Sequence, residues 1–229
     1  MAMGASATNA GIERDSPDVA TLLEALSEGG VNHVVTGSAA VMLHGVDLAP
    51  GDLDITPALD FENLTRLAAV LESIGARQYP DAPFGHWELG DDGERQWIQT
   101  AATPEDVAAR ASWRPDPSAP SSFDFLLQTN HGALDVVPTV SGTYEALIAR
   151  ASAVRVAGFE VWIESVEDLL ATLTVPRRGK DRDRVQQLRE AQRARCALWN
   201  RVDAADYGVD LQETFPHARA THRNLTDAK

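Results

Sequence analysis

The sequence is poor in several features that would assign it to particular classes of protein. Cysteine occurs once, as Cys196, which excludes an internal disulfide framework and favours a reducing cytoplasm. No run of apolar residues approaches the length of a membrane span. We therefore expect a cytoplasmic protein without a membrane partner.

Positive charge is also scarce. Lysine and arginine together number 20 against 34 aspartates and glutamates, which gives a formal net charge of −14. Lysine occurs only as Lys180 and Lys229. Proteins that attract nucleic acid over a distance normally present a basic face, and here only local arginine clusters such as "PRRGKDRDR" (176–184) provide one. The composition therefore argues against a broadly basic nucleic-acid-binding surface.

The remaining composition is that of an ordinary globular chain. Of its 229 residues, 44% are hydrophobic and 24% are charged, which is enough apolar material for one large domain or for a core domain with a helical appendage. We predict a disordered leader over residues 1–15, a core domain over 16–163, and a helical C-terminal region with a tail over 164–229.

Strands and helices are predicted to alternate in the first part of the chain. The pattern predicts a helix over "SPDVATLLEALSEGGV" with Ser16 as its N-cap, then a strand at "NHVVTG", a short helix at "SAAVMLHG", a strand at "DLDITP" and a helix at "FENLTRLAAVLESIGA". From 77 to 122 the pattern loosens, and only "TPEDVAARA" reads as a helix.

The second part of the chain continues with strands and then accumulates helices. Strands are predicted at "SFDFLLQT" and "GALDVVPT", followed by a helix at "GTYEALIARA", a hairpin turning at Gly158, a helix at "SVEDLLATL" and an arginine-rich helix from about 181 to 203. The predicted fold class is α/β or α+β, with a mixed sheet and C-terminal helices.

Two aspartates flank one apolar residue in "GDLDITP". Because strand side chains alternate, Asp52 and Asp54 should share one face while Leu53 and Ile55 enter the core. Like charges about 7 Å apart repel each other unless a cation lies between them. Mg²⁺ prefers hard oxygen ligands and takes further ones from substrate phosphates, so the pair predicts a magnesium site.

A small, flexible pair precedes these aspartates. Gly37 and Ser38 are predicted at the start of a helix, where free backbone N–H groups and a hydroxyl face an anion. Together, the two motifs indicate a site for a metal ion and a polyphosphate.

A third carboxylate follows the same pattern. Asp135 lies between Leu134 and Val136 in "GALDVVP", as one acid on an apolar strand. If that strand lies beside the strand of Asp54, three carboxylates converge. Asp135 would then bind a second metal ion or accept a proton from an attacking hydroxyl, and two metal ions roughly 3.5–4 Å apart would clamp both oxygens of an in-line displacement.

These motifs, in this order, resemble the signature of the DNA polymerase β-like nucleotidyltransferase superfamily. The segment from "VVTGSAAVMLHG" to "GDLDITPALDFENL" is similar to small bacterial members of the AbiEii toxin type. The similarity resumes at "LDVVPTVSGTYEALIARA" and at "ESVEDLLATLTVPRRGKDRDRVQQL". A lone Gly-Ser or Asp-x-Asp would be weak, whereas three blocks in the order of the superfamily are specific for it.

The resemblance implies a polymerase β-like core that transfers NMP from an NTP in the presence of Mg²⁺ or Mn²⁺. It implies that Gly37 and Ser38 hold phosphates and that Lys180 neutralises the triphosphate, with Asp181 orienting that lysine. Asp52, Asp54 and Asp135 are the implied metal ligands. For toxin-type relatives it further implies tRNA as acceptor and a cognate antitoxin as partner.

The chain departs from the superfamily pattern at two positions where relatives carry a cation. Leu48 and Ala49 stand shortly before Asp52, and Leu173 stands in the helix before the Lys-Asp pair. Three alternatives therefore stay open beside tRNA modification. They are transfer to a small molecule such as an antibiotic or to a protein, nucleotide or partner binding without catalysis, and an unrelated α/β binding module without metal dependence.

Overall fold

The computed structural model of the protein describes residues 16–79, 84–89, 95–139, 141–173 and 179–199, and for 85–89, 95–97, 179–182 and 194–199 it describes the backbone alone. The predicted leader over 1–15 and the predicted tail after 199 lie outside the described residues. The division into a core domain over 16–163 and a helical region over 164–229 stays a prediction.

The described residues form seven α-helices, one short 3-10 helix (Pro120–Phe123) and nine strands. The helices are α1 (Val19–Glu28), α2 (Gly37–Leu43), α3 (Phe61–Ser73), α4 (Pro104–Ala111), α5 (Tyr144–Ile148), α6 (Val166–Leu173) and α7 (Gly179–Trp199). The strands are β1 (His33–Thr36), β2 (Leu53–Pro57), β3 (Arg77–Gln78), β4 (Phe84–Leu89), β5 (Arg95–Thr100), β6 (Leu126–Thr129), β7 (Gly132–Val136), β8 (Ser152–Val156) and β9 (Phe159–Ile163).

Seven of the strands form one mixed sheet in the order β3-β6-β7-β2-β1-β9-β8. The pairs β2 with β7 and β1 with β9 are parallel, and the other four pairs in this sheet are antiparallel. Strands β4 and β5 form a separate two-stranded hairpin. The predicted fold class, a mixed sheet with C-terminal helices, is confirmed.

Helices α1 and α3 contribute the apolar faces that cover the sheet. Leu64, Leu67 and Leu71 recur at helical spacing on α3 and are fully buried. The side chain of Asp60 caps this helix by accepting a hydrogen bond from the amide of Asn63 at 2.9 Å. The amphipathic pattern read from the sequence therefore identifies the face that packs inward.

The start of α1 differs from the prediction. Asp18, not Ser16, is the N-cap, because its carboxylate accepts hydrogen bonds from both the amide and the hydroxyl of Thr21. The amide of Asp18 donates to the carbonyl of His131 at 2.8 Å. This tie to the β6–β7 turn holds the segment before α1 in an extended path.

The loosely patterned region contains more structure than predicted. The helix at 104–111 is confirmed, with Thr103 and Asp106 forming a capping box. The hairpin of β4 and β5 and the two-residue strand β3 were not predicted. Strand β3 depends on pairing with β6, which lies about 50 residues later. The residues of β3 alone do not indicate this pairing.

The described helices include none that is both long enough and apolar enough to cross a membrane. The longest, α7, packs against α6. Among the described side chains of α7, over residues 183–193, only Leu188 is buried.

Candidate metal centre

Strand β2 presents one acid from an otherwise buried strand. Leu53 and Ile55 are fully buried, as predicted, and Asp54 between them is partly exposed. Asp52 lies one residue before the strand, because the first ladder pair joins Leu53 to Leu134. The prediction that Asp52 belongs to the strand is therefore wrong by one residue.

Asp135 lies directly beside Asp54. Strands β2 and β7 are parallel, and the register pairs Asp54 with Asp135. Paired residues on neighbouring strands point to the same face of the sheet, and the strands lie about 4.8 Å apart. Asp135 is 3% exposed, and the two residues that flank it, Leu134 and Val136, are fully buried.

The three aspartates converge. Asp52, Asp54 and Asp135 each offer one carboxylate oxygen, and these three atoms lie within 4.8 Å of one another. Opposite oxygens around octahedral Mg²⁺ are about 4.2 Å apart, so small side-chain rotations bring the three onto one ion. Like charges at this separation repel each other, and a divalent cation between them removes that cost. The residues present therefore fit a divalent metal ion.

Gly37 sits against this acidic cluster. It has a φ of +61°, and a Cβ added to it would collide with Oδ2 of Asp54 and lie 2.8 Å from its Cγ. A residue with a side chain would thus be strained by both its conformation and its contact. The preceding residue, Thr36, pairs with Asp54 across the β1–β2 ladder, so the turn at Gly37 and Ser38 starts beside the carboxylates.

The predicted cationic partner lies on a different element. Lys180 and Asp181 are in the first turn of α7, but their side chains lie outside the described residues. Their roles stay predictions. The structure therefore brings together Gly37, Ser38 and the three aspartates, and gives Lys180 and Asp181 only a position on the backbone.

The sequence analysis missed a buried acid next to this turn. Glu164 follows β9 and is 1% exposed. Neither of its carboxylate oxygens has a partner in hydrogen-bond geometry, although the amide of Gly37 and the hydroxyl of Ser141 lie close enough to favour the anion. Burial prevails and raises the pKa of Glu164 to about 7.

The position of Glu164 has a signal in the sequence. It directly follows the alternating strand "FEVWI", and β9 runs parallel to β1. The carboxyl ends of parallel strands lie at the same edge of a sheet, so Glu164 comes to the edge where β1 ends at Thr36. Only the pairing of β9 with β1 makes this signal readable.

Comparison with known proteins gives limited likenesses. No family model matches the chain, and no curated protein matches it. Seven chains of solved structures resemble this chain, and the three described below are 14% to 18% identical to it.

The first is a crystal structure of an antigenic nucleotidyltransferase-like protein from Paracoccidioides brasiliensis, with 14% identity, 78% of each chain covered and a TM-score of 0.42. A solution structure of the antibiotic-resistance factor ANT(2'')-Ia has 18% identity, with 82% of this chain and 92% of that chain covered and a TM-score of 0.38. A crystal structure of ANT(2'')-Ia with adenylyl-2''-tobramycin has 17% identity, coverage of 79% and 94%, and a TM-score of 0.41. All three TM-scores are below 0.5, so these likenesses carry no functional argument. The proposed function is therefore based on the three carboxylates.

Proposed function

We propose that the chain is a metal-dependent nucleotidyltransferase that transfers NMP from an NTP to an acceptor hydroxyl and releases pyrophosphate. One observation carries the proposal: oxygens of Asp52, Asp54 and Asp135 lie within 4.8 Å of one another at the edge of a glycine-containing turn. The sequence motifs that resemble the polymerase β-like superfamily are the same residues, which supports membership of that superfamily.

Each residue has a proposed role. Asp52, Asp54 and Asp135 would hold Mg²⁺ or Mn²⁺, which when bound offsets the negative charge of the triphosphate. Gly37 and Ser38 would hold the phosphates beside the carboxylates. Lys180 would neutralise further phosphate charge and Asp181 would orient it, as the resemblance implies.

The proposed step is an in-line displacement at the α-phosphorus. The acceptor oxygen forms a bond to phosphorus while the bond to pyrophosphate breaks, and the hydroxyl proton passes to Asp135. Because Asp135 is held within β7 and is almost fully buried, its position is fixed before the substrates bind. Catalysis would consist mainly of positioning and charge neutralisation.

The class of acceptor distinguishes three versions of this function. The resemblance to toxin-type relatives favours the tRNA 3′ end, together with a cognate antitoxin as partner. A small-molecule acceptor is the second candidate, because a net charge of −14 opposes binding of a polyanion. Transfer to a protein side chain is a third destination that the same experiment detects.

A labelling experiment tests the function and finds the acceptor class. The protein is incubated with each α-labelled NTP, Mg²⁺ and a whole-cell extract, and the label is followed into RNA, protein and small molecules. We expect labelling that disappears in the double variant Asp52→Ala with Asp54→Ala and persists in the exposed control Asp47→Ala. Undiminished labelling by the double variant would refute the metal site.

Measurements of NTP binding and of pyrophosphate release, made beside the labelling, identify a chain that has lost catalysis. Mg²⁺-dependent NTP binding without pyrophosphate release would indicate a nucleotide-binding protein of the same fold. NTP binding that does not depend on metal would contradict the assignment of the three aspartates.

A further inference from the structure

The backbone of Glu164 ties down the helix that follows the turn. Its amide donates to the carbonyl of Val35 at 2.8 Å, one residue before the end of β1. Its carbonyl accepts a hydrogen bond from Nε2 of His44 at 2.9 Å, at the C-terminal end of α2. Since a carbonyl can only accept, Nε2 of His44 donates in this contact.

The side chain of Glu164 reaches the other end of α2. Its carboxyl group lies close to the amide of Gly37. Residue 164 therefore contacts α2 at its first residue and at its C-cap, His44, as well as β1 through Val35.

Gly37 contacts one carboxyl group and lies near a second. It contacts Asp54, where even a methyl group has no room, and its amide lies near the carboxyl group of Glu164. Because the turn has no free space against Asp54, a shift of the turn would alter the position of Asp54. A change at residue 164 can alter the acidic cluster without touching it.

A carboxyl group is a costly choice for this buried position. An apolar residue of similar size would avoid the penalty of burying a group whose oxygens have no partner in hydrogen-bond geometry. Buried ionisable groups that weaken the fold are concentrated at functional sites. The charged groups that act on Glu164 are Asp168, which opposes its ionisation, and Arg150, which favours it, while His44 faces its backbone. Arg150 and Asp168 form an ion pair with each other at 3.0 Å.

We propose that Glu164 is a positioning residue that sets the turn at Gly37 and Ser38 and, through the charge of its side chain, the affinity of that turn for a polyphosphate. The inference depends on the proposed nucleotidyl transfer and adds to it a residue outside the metal cluster. The neutral side chain of Glu164 holds the turn in position, whereas the ionised side chain also repels the incoming phosphates.

Three variants separate the support of the turn from the charge. Glu164→Ala removes the side chain near the amide of Gly37 together with its charge, while the backbone hydrogen bonds to Val35 and His44 remain. Glu164→Gln keeps the shape of the side chain and removes the charge, and Glu167→Ala removes an exposed acid three residues later as a control. Folding is checked by circular dichroism, and the dissociation constants of the four Mg²⁺–NTPs are measured by calorimetry at pH 6 and pH 8. The NTP that binds the wild type most tightly is then used for all variants.

At pH 6 we expect Glu164→Ala to bind the NTP about 10-fold more weakly than the wild type. Glu164→Gln should restore binding to within about 2-fold, and Glu167→Ala should match the wild type. Wild-type affinity in Glu164→Ala, or equal weakness in the Gln and Ala variants, would overturn the proposal.

The ratio of the wild-type affinity to the Glu164→Gln affinity supplies a second readout. Because the nucleotide titrates in the same way in both measurements, its own pH dependence cancels in the ratio. At pH 8 the wild type carries a charge beside the turn, so Glu164→Gln should bind at least about 5-fold more tightly than the wild type. A ratio that is the same at pH 6 and pH 8 would overturn the proposal even if Glu164→Ala failed to fold. Absence of NTP binding by the wild type would instead contradict the proposed function, and this inference would fall with it.

Discussion

The two regions that would surround a bound triphosphate are built very differently. On the acidic side, every residue of β7 is buried, and the register of two parallel strands sets Asp54 against Asp135. On the cationic side, Lys180 lies in the first turn of α7, a helix that buries only Leu188 among its described side chains. Two of the three proposed metal ligands, Asp54 and Asp135, are held by a sheet ladder, whereas the lysine lies on a lightly packed helix.

This difference teaches which part of the site is formed in advance. Ladder hydrogen bonds and a buried core hold Asp54 and Asp135 close together although their carboxylates repel each other. A cation can therefore bind without first ordering this part of the chain, which increases its affinity. A helix with little buried surface adds its charge with less geometric precision. Substitutions should therefore have effects that decrease from the sheet to the helix.

The largest effect is expected at the centre of the sheet. Replacing Asp135 by Asn removes one of three converging carboxylates and should lower nucleotidyl transfer at least about 1,000-fold. Pyrophosphate release measures this loss, with Glu160→Gln, an exposed acid on β9 of the same sheet, as the control. If the variant kept activity within about 10-fold of the wild type, Asp135 would not be required for transfer, which would contradict the role given to the acidic side.

The turn beside Asp54 should come next. Gly37→Ala places a methyl group in the left-handed region and against Asp54, which we expect to cost about 2–5 kcal/mol of unfolding free energy and most of the activity. Gly30→Ala is the matched control, because Gly30 has a φ of +64° against +61° for Gly37 and its added Cβ would meet only Arg66 Cδ at 3.6 Å.

Denaturant unfolding of the two glycine variants isolates the contact from the conformation. In Gly30→Ala the free energy of unfolding should fall only by the conformational term of about 1–2 kcal/mol, and activity should be retained. Equal losses of stability and activity in both variants would show that the contact with Asp54 is unimportant.

Glu164 should make stability depend on pH. Its pKa is about 7 in the folded protein against an ordinary value of 4.5, so between these pH values the folded state binds more protons than the unfolded state. The free energy of unfolding therefore falls as the pH rises from 4.5 to 7, by up to about 3 kcal/mol from this group.

Comparison with Glu164→Gln removes the contribution of all other titrating groups. The variant should match the wild type near pH 4.5 and exceed it by up to about 3 kcal/mol at pH 8 in urea unfolding. A difference between the two proteins that does not change with pH would contradict the burial of an ionisable group at this position.

The smallest effect is expected on the helix. Lys180→Ala should weaken use of the NTP by about 10-fold, which corresponds to about 1.4 kcal/mol of lost interaction with phosphate. Arg189→Ala, an exposed cation on the same helix, is the control. Unchanged kinetics for Lys180→Ala would show that Lys180 is a surface lysine without a role in the reaction. A loss as large as that of Asp135→Asn would contradict the expectation that effects decrease from the sheet to the helix.

Sequence reasoning was most successful where a local pattern decides the structure. The alternation around Asp54 and the helical spacing of Leu64, Leu67 and Leu71 are set by burial on one face, which a single sequence records. The hairpin that turns at Gly158 was also predicted, and in the structure its residues 157 and 158 both adopt positive φ.

Long-range pairing supplied what the sequence did not. Strand β3 exists only beside β6, and the acid at position 164 becomes part of the site only because β9 lies parallel to β1. Each of these features depends on a partner distant along the chain, and no local propensity encodes it.

Binding of Mn²⁺ to the protein without nucleotide tests the three-carboxylate centre most directly. Titration followed by electron paramagnetic resonance should show a bound ion in the wild type and in Asp47→Ala, and none at the same concentrations when Asp52 and Asp54 are both Ala. Identical Mn²⁺ binding in the double variant and the wild type would contradict the account.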